Sequence, residues 1–244
     1  MQPPIPFAPD TLREFSERFE QASPIEVLQW AWQEFGLRAA IGTSFQGAGL
    51  VIIHHAVTAD LPLPVFTIDT GLLFSETNEL KSRLENFFGI QIEPLVPELS
   101  LSQQEDELGE RLWERKPDLC CTLRKVVPLQ KKLAELEAWV TGLRRDQSSA
   151  RSGTQVLELY EFDRIREKQI LKINPLAAWS RDDVWRYIRK HGIPYNALHD
   201  RGFRSIGCKP CTRAVVSGQD ERAGRWIGFE KTECGIHTFM GENI

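Results

Sequence analysis

The sequence is first informative through what it lacks. No apolar run in its 244 residues approaches the roughly 20 needed to cross a bilayer, so a membrane-spanning helix is not expected. The first ten residues, MQPPIPFAPD, have neither a basic nor an apolar leader segment, so the protein is expected in the cytoplasm. Positive charge is not in excess: the formal net charge is −4, which argues against bulk nucleic-acid binding. Neither GxGxxG nor GxxxxGK[ST] occurs. No internal repeat or low-complexity linker is present, and cysteine is scarce, at five. In a cytosolic chain, five thiols indicate metal binding or thiol chemistry rather than disulfides.

The charge that is present is unevenly placed. Between Arg201 and Lys231 there are seven Lys/Arg against three Asp/Glu, and 144–151 adds three arginines and one aspartate. Two arginine-rich loops in an acidic chain point to a small anionic ligand, whereas solvated surface charge would explain either cluster alone.

The hydrophobic pattern predicts an α/β domain with a mainly parallel twisted sheet and helices on both faces. A first helix is expected over roughly Thr11–Gln21, capped by Asp10. A second starts at Ser23-Pro24 and stops at Gly36, so residues 1–36 read as a helical flank. Strands are expected at Arg38–Ser44, Pro64–Asp69, Gln91–Leu95, Trp139–Gly142 and Ile170–Ile173. Helices are expected after Gly49, over Glu76–Phe88 with Ser75 as cap, over Ser100–Trp113, from Lys116 through Leu136, and over Asp182–His191. In such sheets ligands bind beyond the carboxyl ends of the strands. That edge would carry Ser44-Phe45-Gln46-Gly47, Asp69-Thr70-Gly71 and the loop from Gly142 to Arg151. From Gly192 onward the chain is loop-rich. The boundaries expected are one nucleotide- and cluster-binding domain over 1–225 and a mobile tail over 226–244. His54, His55, His191 and His199 lack a supporting motif and read as structural or surface residues.

Four cysteines form two pairs, Cys120-Cys121 and Cys208-Lys209-Pro210-Cys211, the pattern of one four-thiolate metal site. Zinc and an iron–sulfur cluster both accept four thiolates. Adjacent ligands suit the larger cluster better, because neighbouring residues can reach different irons. Four buried thiols without a metal are the plain alternative, but they lie beside Lys125, Lys209 and Arg213 rather than in apolar runs. Cys234 is left over, in the polar segment Lys231–Thr238 near the end of the chain.

Seven segments in order resemble one family. They are Ser44-Phe45-Gln46-Gly47, Ile68-Asp69-Thr70-Gly71, Cys120-Cys121-Thr122-Leu123-Arg124-Lys125, Thr141 to Ser148, Gly207 to Arg213, Arg222-Ala223-Gly224-Arg225-Trp226 and Glu233-Cys234-Gly235-Ile236-His237. The chain resembles the thioredoxin-dependent assimilatory adenylyl-sulfate (APS) reductases of the iron–sulfur type, within the PAPS/APS reductase family. The resemblance implies a PP-loop adenine-nucleotide-binding fold and reduction of APS to sulfite and AMP in sulfate assimilation and cysteine biosynthesis. It implies a 4Fe-4S cluster on Cys120, Cys121, Cys208 and Cys211, with Lys125 between cluster and substrate. Ser44–Gly47, Asp69–Gly71 and Gly142 would hold the nucleotide. Arg144, Arg145, Arg151, Arg222, Arg225 and His237 would surround the phosphosulfate. Cys234 would be the nucleophile, forming an S-sulfocysteine that thioredoxin, or a glutaredoxin-like reductant, resolves. Family members are commonly oligomeric, so a homo-oligomer is one implied state.

Two positions depart from the family pattern. Ala48-Gly49 stands where an acidic residue usually follows Ser-Phe-Gln-Gly, and Ala150 precedes Arg151 where threonine is usual. Three other readings compete: a PAPS reductase with the same chemistry, a PP-loop ATP pyrophosphatase, and a cluster-bearing redox sensor or nucleotide-binding regulator. The pyrophosphatase would need a Ser-Gly-Gly-x-Asp-Ser loop that this chain lacks, and the sensor leaves Cys234 and its motif unexplained.

Overall fold

The protein is described from a computed structural model covering residues 9–163, 168–216, 221–231 and 235–237. Two helices come first, α1 (Pro9–Phe19) and α2 (Pro24–Phe35). The start of α2 is written locally: Ser23 Oγ accepts a hydrogen bond from the Glu26 amide, the Glu26 carboxylate accepts one from the Ser23 amide, and Pro24 opens the helix. Asp10 lies inside the first turn of α1 rather than capping it, where it pairs with Arg13 at 3.4 Å.

Five parallel strands then build the sheet. They are β1 (Ala39–Thr43), β2 (Val65–Ile68), β3 (Ile92–Leu95), β4 (Ala138–Val140) and, after an intervening strand β5 (Leu157–Asp163), β6 (Lys168–Ile173). The order is β3-β2-β1-β4-β6-β5, with β5 antiparallel to β6 at the edge. The connecting helices are α3 (Gly47–Thr58), α4 (Ser75–Phe88), α5 (Leu101–Leu108), α6 (Leu112–Arg115), α7 (Pro117–Cys121), α8 (Val127–Leu133) and α9 (Arg181–His191).

Both faces of the sheet are covered, as a parallel sheet requires. Alternate strand residues divide between two cores. Ala39, Ile41, Val65, Val140 and Ile173 pack with α1–α4 and α9, whereas Ala40, Phe66, Trp139 and Ile170 pack with Leu129 and Leu133 of α8. No helix among the described residues is long and apolar enough to cross a membrane.

Several boundaries differ from the sequence expectation. Ser75 is the first residue of α4 and Phe74 the cap. The helix expected over Ser100–Trp113 breaks at Gly109 (φ 82°) into α5 and α6. The helix expected from Lys116 onward changes winding at Thr122–Val126, which form a π turn between α7 and α8. β5 was absent from the expectation. Leu157 is covered by α1, Leu159 on the same face is exposed, and the other face mixes Glu158 with Tyr160 and Phe162, so no clean alternation marks the strand. Packing also continues past the expected boundary after Arg225: Trp226 is buried and donates its amide to the Cys211 carbonyl at 3.2 Å.

Helices α3 and α9 meet through a histidine cluster. Tyr187 Oη shares a hydrogen bond with His54 Nδ1 at 2.9 Å and approaches His55 Nδ1 at 3.4 Å, while the His191 ring lies 4.7 Å from that of His54. Burial, then the neighbouring His54 and His191, lowers the pKa of His55 to about 4. The folded state therefore refuses a proton that the unfolded state takes up at about 6.5, so this contribution is complete above pH 6.5 and is lost as pH falls toward 4. Urea denaturation of the wild type and of His55→Gln should show it. The wild type should lose about 2 kcal/mol more than the variant between pH 7 and pH 4. Equal losses would remove His55 as the cause.

Candidate active site

The carboxyl ends of β1, β2 and β4 open into one cleft. Its base is the turn Ser44–Gly47 entering α3. Phe45 takes a left-handed conformation (φ 56°), and its amide is held by Thr43 Oγ1 at 3.0 Å. No side chain caps α3, so its first amides are open toward the cleft, the arrangement that receives phosphate or sulfate.

The expected site residues divide by position. Ser44, Gln46, Gly47, Thr70, Lys125, Gly142, Arg144, Arg151, Cys208, Arg222, Arg225 and His237 line the cleft. Phe45 is buried beneath it. Asp69 and Gly71 face a separate shallow groove beside Arg124, and Asp69 Oδ1 accepts the Gly71 amide at 2.9 Å.

Three cleft-edge residues are engaged by the protein itself. Gln46 donates to the Ile206 carbonyl at 3.1 Å and accepts its amide at 3.2 Å, clamping the loop that carries Cys208. Arg145 turns away and forms a fork with Glu20, the residue after α1, and it donates to the Thr154 carbonyl at 2.8 Å. Arg144 is buried between Asp146 and Glu221, the latter at 3.6 Å. Burial raises the Glu221 pKa against the pull of Arg144 and Arg181. The cleft also contains residues that motif reading missed, namely Arg204, Gln147, Trp185, Glu221 and His199. His199, read as structural or surface from sequence, has Nδ1 on the Phe203 carbonyl at 2.7 Å. For Arg204, the signal available in sequence was its place in the basic stretch beside the CxxC pair.

The two cysteine pairs face one another across the cleft wall. Burial first, and then Cys121, Cys208 and Cys211, pushes the Cys120 thiol up to about 12; burial and Cys208 push Cys211 up to about 11. Cys208 differs: burial raises its pKa, but Lys125, the Thr70 hydroxyl at 3.3 Å and Arg225 bring the net shift downward. Among the described residues, no group of three or more His, Cys, Asp or Glu is gathered closely enough to hold a single metal ion. One tetrahedral zinc would need its sulfurs about 4 Å apart, given Zn–S bonds of about 2.3 Å. The donor set, four thiols in two pairs within electrostatic reach of one another, suits an iron–sulfur cluster.

Arg124 ties this wall to the sheet. It is buried, and it donates to the Thr70 carbonyl, to Gln104 Oε1 at 3.1 Å and to the Leu99 carbonyl at 3.4 Å. Lys125, the next residue on the π turn, is buried and lines the cleft.

The segment 235–237 reaches the same cleft. Ile236 and His237 line it. The Ile236 carbonyl accepts the Tyr160 hydroxyl at 3.1 Å, and the His237 ring stacks on Trp139 at 5.1 Å and 9°. Burial, then Lys172, Arg151 and Arg222, holds the His237 pKa well below its ordinary value, so the ring is neutral near pH 7. Cys234, the expected nucleophile, lies outside the described residues.

Arg225 owes its place to a glycine. Its guanidinium lies against Gly207, stacks on Trp226 at 4.5 Å and donates to Ser205 Oγ at 3.3 Å. A Cβ on residue 207 would overlap that guanidinium, a flexible group able to swing away without unfolding the loop. Gly207→Ala should therefore fold normally and bind pyrophosphate about 10- to 100-fold more weakly by calorimetry, the cost of losing one charge-assisted contact. Unchanged affinity would show that Arg225 does not face the anion.

Residues 38–214 match the model of the phosphoadenosine phosphosulfate reductase domain. An adenosine 5′-phosphosulfate reductase of Halalkalibacterium halodurans is 43% identical over 227 residues, 93% of this chain and 96% of that protein. Adenosine 5′-phosphosulfate reductase 2 of Bacillus subtilis is 44% identical over 214 residues, 87% and 89% of the two chains. Among solved structures, the phosphoadenylyl-sulfate reductase of Candida auris in its phosphate complex superposes with a TM-score of 0.75 at 30% identity, covering 86% of this chain and 99% of that one. Candida glabrata FMN adenylyltransferase, at 14% identity and a TM-score of 0.55, covers 86% of this chain and 69% of its own and shares the fold alone. With the domain model covering most of the sheet and its carboxyl-edge loops, the chain belongs to the phosphoadenosine phosphosulfate reductase domain family.

Proposed function

We propose that this chain reduces adenosine 5′-phosphosulfate to sulfite and AMP, with Cys234 as nucleophile and thioredoxin or a glutaredoxin-like protein as reductant. The observation that carries the reading is the convergence on one cleft of an uncapped helix N-terminus, Lys125, Arg151, Arg222 and Arg225, and the segment directly following Cys234 in sequence. The relatives named adenosine 5′-phosphosulfate reductase, at 43 and 44% identity, support that substrate over its 3′-phosphorylated form.

The substrate's sulfur is bonded to three terminal oxygens and to the oxygen bridging to phosphorus. Its negative charge repels a thiolate, and the departing AMP gains charge. The cleft's cations offset both effects in surroundings partly shielded from water. In the proposed step the Cys234 thiolate bonds to that sulfur, the bond from sulfur to the bridging oxygen breaks, and its electron pair leaves with AMP. The enzyme then carries an S-sulfocysteine. A thiolate of the reductant attacks the Cys234 sulfur and displaces sulfite. Its second thiol then attacks that mixed disulfide, forming the reductant's own disulfide and releasing the Cys234 thiolate, which accounts for the two electrons. A neutral His237 adds no charge and serves as a packing group against Trp139. Arg144 and Arg145 act by holding their loop, because carboxylates already engage them.

Cys120, Cys121, Cys208 and Cys211 would hold a 4Fe-4S cluster. When bound, it supplies a fixed local charge and a covalent tie between two segments of the cleft wall. The reductant delivers the electrons of the reaction.

Cys234→Ser should lower sulfite release at least about 1,000-fold, eliminate the mass increment seen after incubation with APS, and leave iron and sulfide content unchanged. Sulfite release at the wild-type rate would exclude Cys234. Faster reduction of PAPS than APS would reassign the substrate and leave the thiol chemistry standing.

A further inference from the structure

We propose that Tyr160 and Trp139 are positioning residues that dock the segment 235–237 at the cleft and so set the approach of the cysteine preceding it. The reading rests on the proposed role of Cys234.

Three contacts build the dock. The Tyr160 hydroxyl donates to the Ile236 carbonyl at 3.1 Å. The Ile236 side chain packs against the cluster that contains Phe66, Leu129, Trp139 and Tyr160. The His237 imidazole lies flat on the Trp139 indole, 9° from parallel at 5.1 Å. Offset stacking of this kind contributes beyond the area it buries.

The platform is built on the sheet. Trp139 stands on β4 in the middle of the sheet, and its ring is 5.7 Å from that of Tyr160. Lys172 Nζ sits 5.0 Å over the Tyr160 ring and is held by Glu158 at 3.2 Å. The hydroxyl is thus aimed by a strand pair rather than by a loop, and little rotamer entropy is lost in making the bond. Gly235 turns the chain immediately before the dock with φ 83°, a conformation that L side chains adopt at a cost. Tyr160 is not among the residues lining the cleft. Its effect on chemistry would pass through the segment it holds, not through the nucleotide.

The test uses the cluster-loaded enzyme as Tyr160→Phe, His237→Ala and His237→Phe. Two rates are read: carboxypeptidase trimming past His237, followed by intact mass, and AMP formation from APS in a single turnover without reductant. Tyr160→Phe should be trimmed about 3- to 10-fold faster, the loss expected for one hydrogen bond, and should form AMP more slowly by a similar factor. Its APS affinity, measured by calorimetry in the Cys234→Ser background, should be unchanged. His237→Ala should also be trimmed faster. His237→Phe, which keeps a ring on Trp139, should be trimmed at the wild-type rate. Trimming of Tyr160→Phe and His237→Ala at the wild-type rate would overturn the dock. Faster trimming with undiminished AMP formation would overturn the positioning role. If the wild type forms no AMP from APS or PAPS, the functional reading fails instead, while the trimming comparison still decides the dock.

Discussion

Two hydrogen bonds between residues 160 positions apart hold this cleft together. The Gln46 side chain accepts the Ile206 amide and donates to the Ile206 carbonyl. One partner belongs to the turn that opens α3, the other to the loop leading into Cys208-Lys209-Pro210-Cys211. A parallel sheet delivers its own loops to the carboxyl edge, but it has no means of recruiting a distant, irregular stretch. The Gln46 amide does that recruiting. With Ile206 fixed, Gly207 becomes the bed for Arg225 and Cys208 comes within 3.3 Å of the Thr70 hydroxyl. Arg124 binds the carbonyl of that same Thr70, so both cysteine pairs are referred to one residue of the sheet edge.

Concentrating like charges in a half-enclosed cleft is costly without a counter-ion. The chain meets that cost unevenly. Arg144 and Arg145 are balanced by Asp146, Glu221 and Glu20 and act as fasteners joining the loop to the turn after α1 and to the 221–226 segment. Lys125, Arg151, Arg204, Arg222 and Arg225 border the open space. The arginines of the 144–145 pair are thus tied to carboxylates, whereas Arg151 bonds Gln147 and Arg225 bonds Ser205 at the cleft edge. That division follows from which carboxylates the fold brings near, which a motif does not encode.

The sheet core was legible because its signals are local. Short apolar runs bounded by turns located five strands to within a residue or two, and Ser23-Pro24 located α2. Edge strand β5 was hidden because α1 covers only one end of it, so its sequence carries no steady period. The cysteine pairs and the cleft cations were legible by residue type and motif. The diversion of Gln46, Arg144 and Arg145 was not, since each depends on a partner fixed by tertiary contact: Ile206, Glu221 and Glu20. His237 was marked by its motif alone, and its low pKa comes from burial and from Lys172, Arg151 and Arg222.

The π turn at Thr122–Val126 carries a further consequence. Each residue added to or removed from a helix rotates everything beyond it by about 100°. The wider turn therefore resets the helical phase between Cys120-Cys121 and the residues that follow. Lys125 can face the cleft while Leu129 and Leu133 of α8 still meet the sheet. Part of what this segment specifies is thus a rotation rather than a residue, and a comparison that counts matched letters would not register its loss.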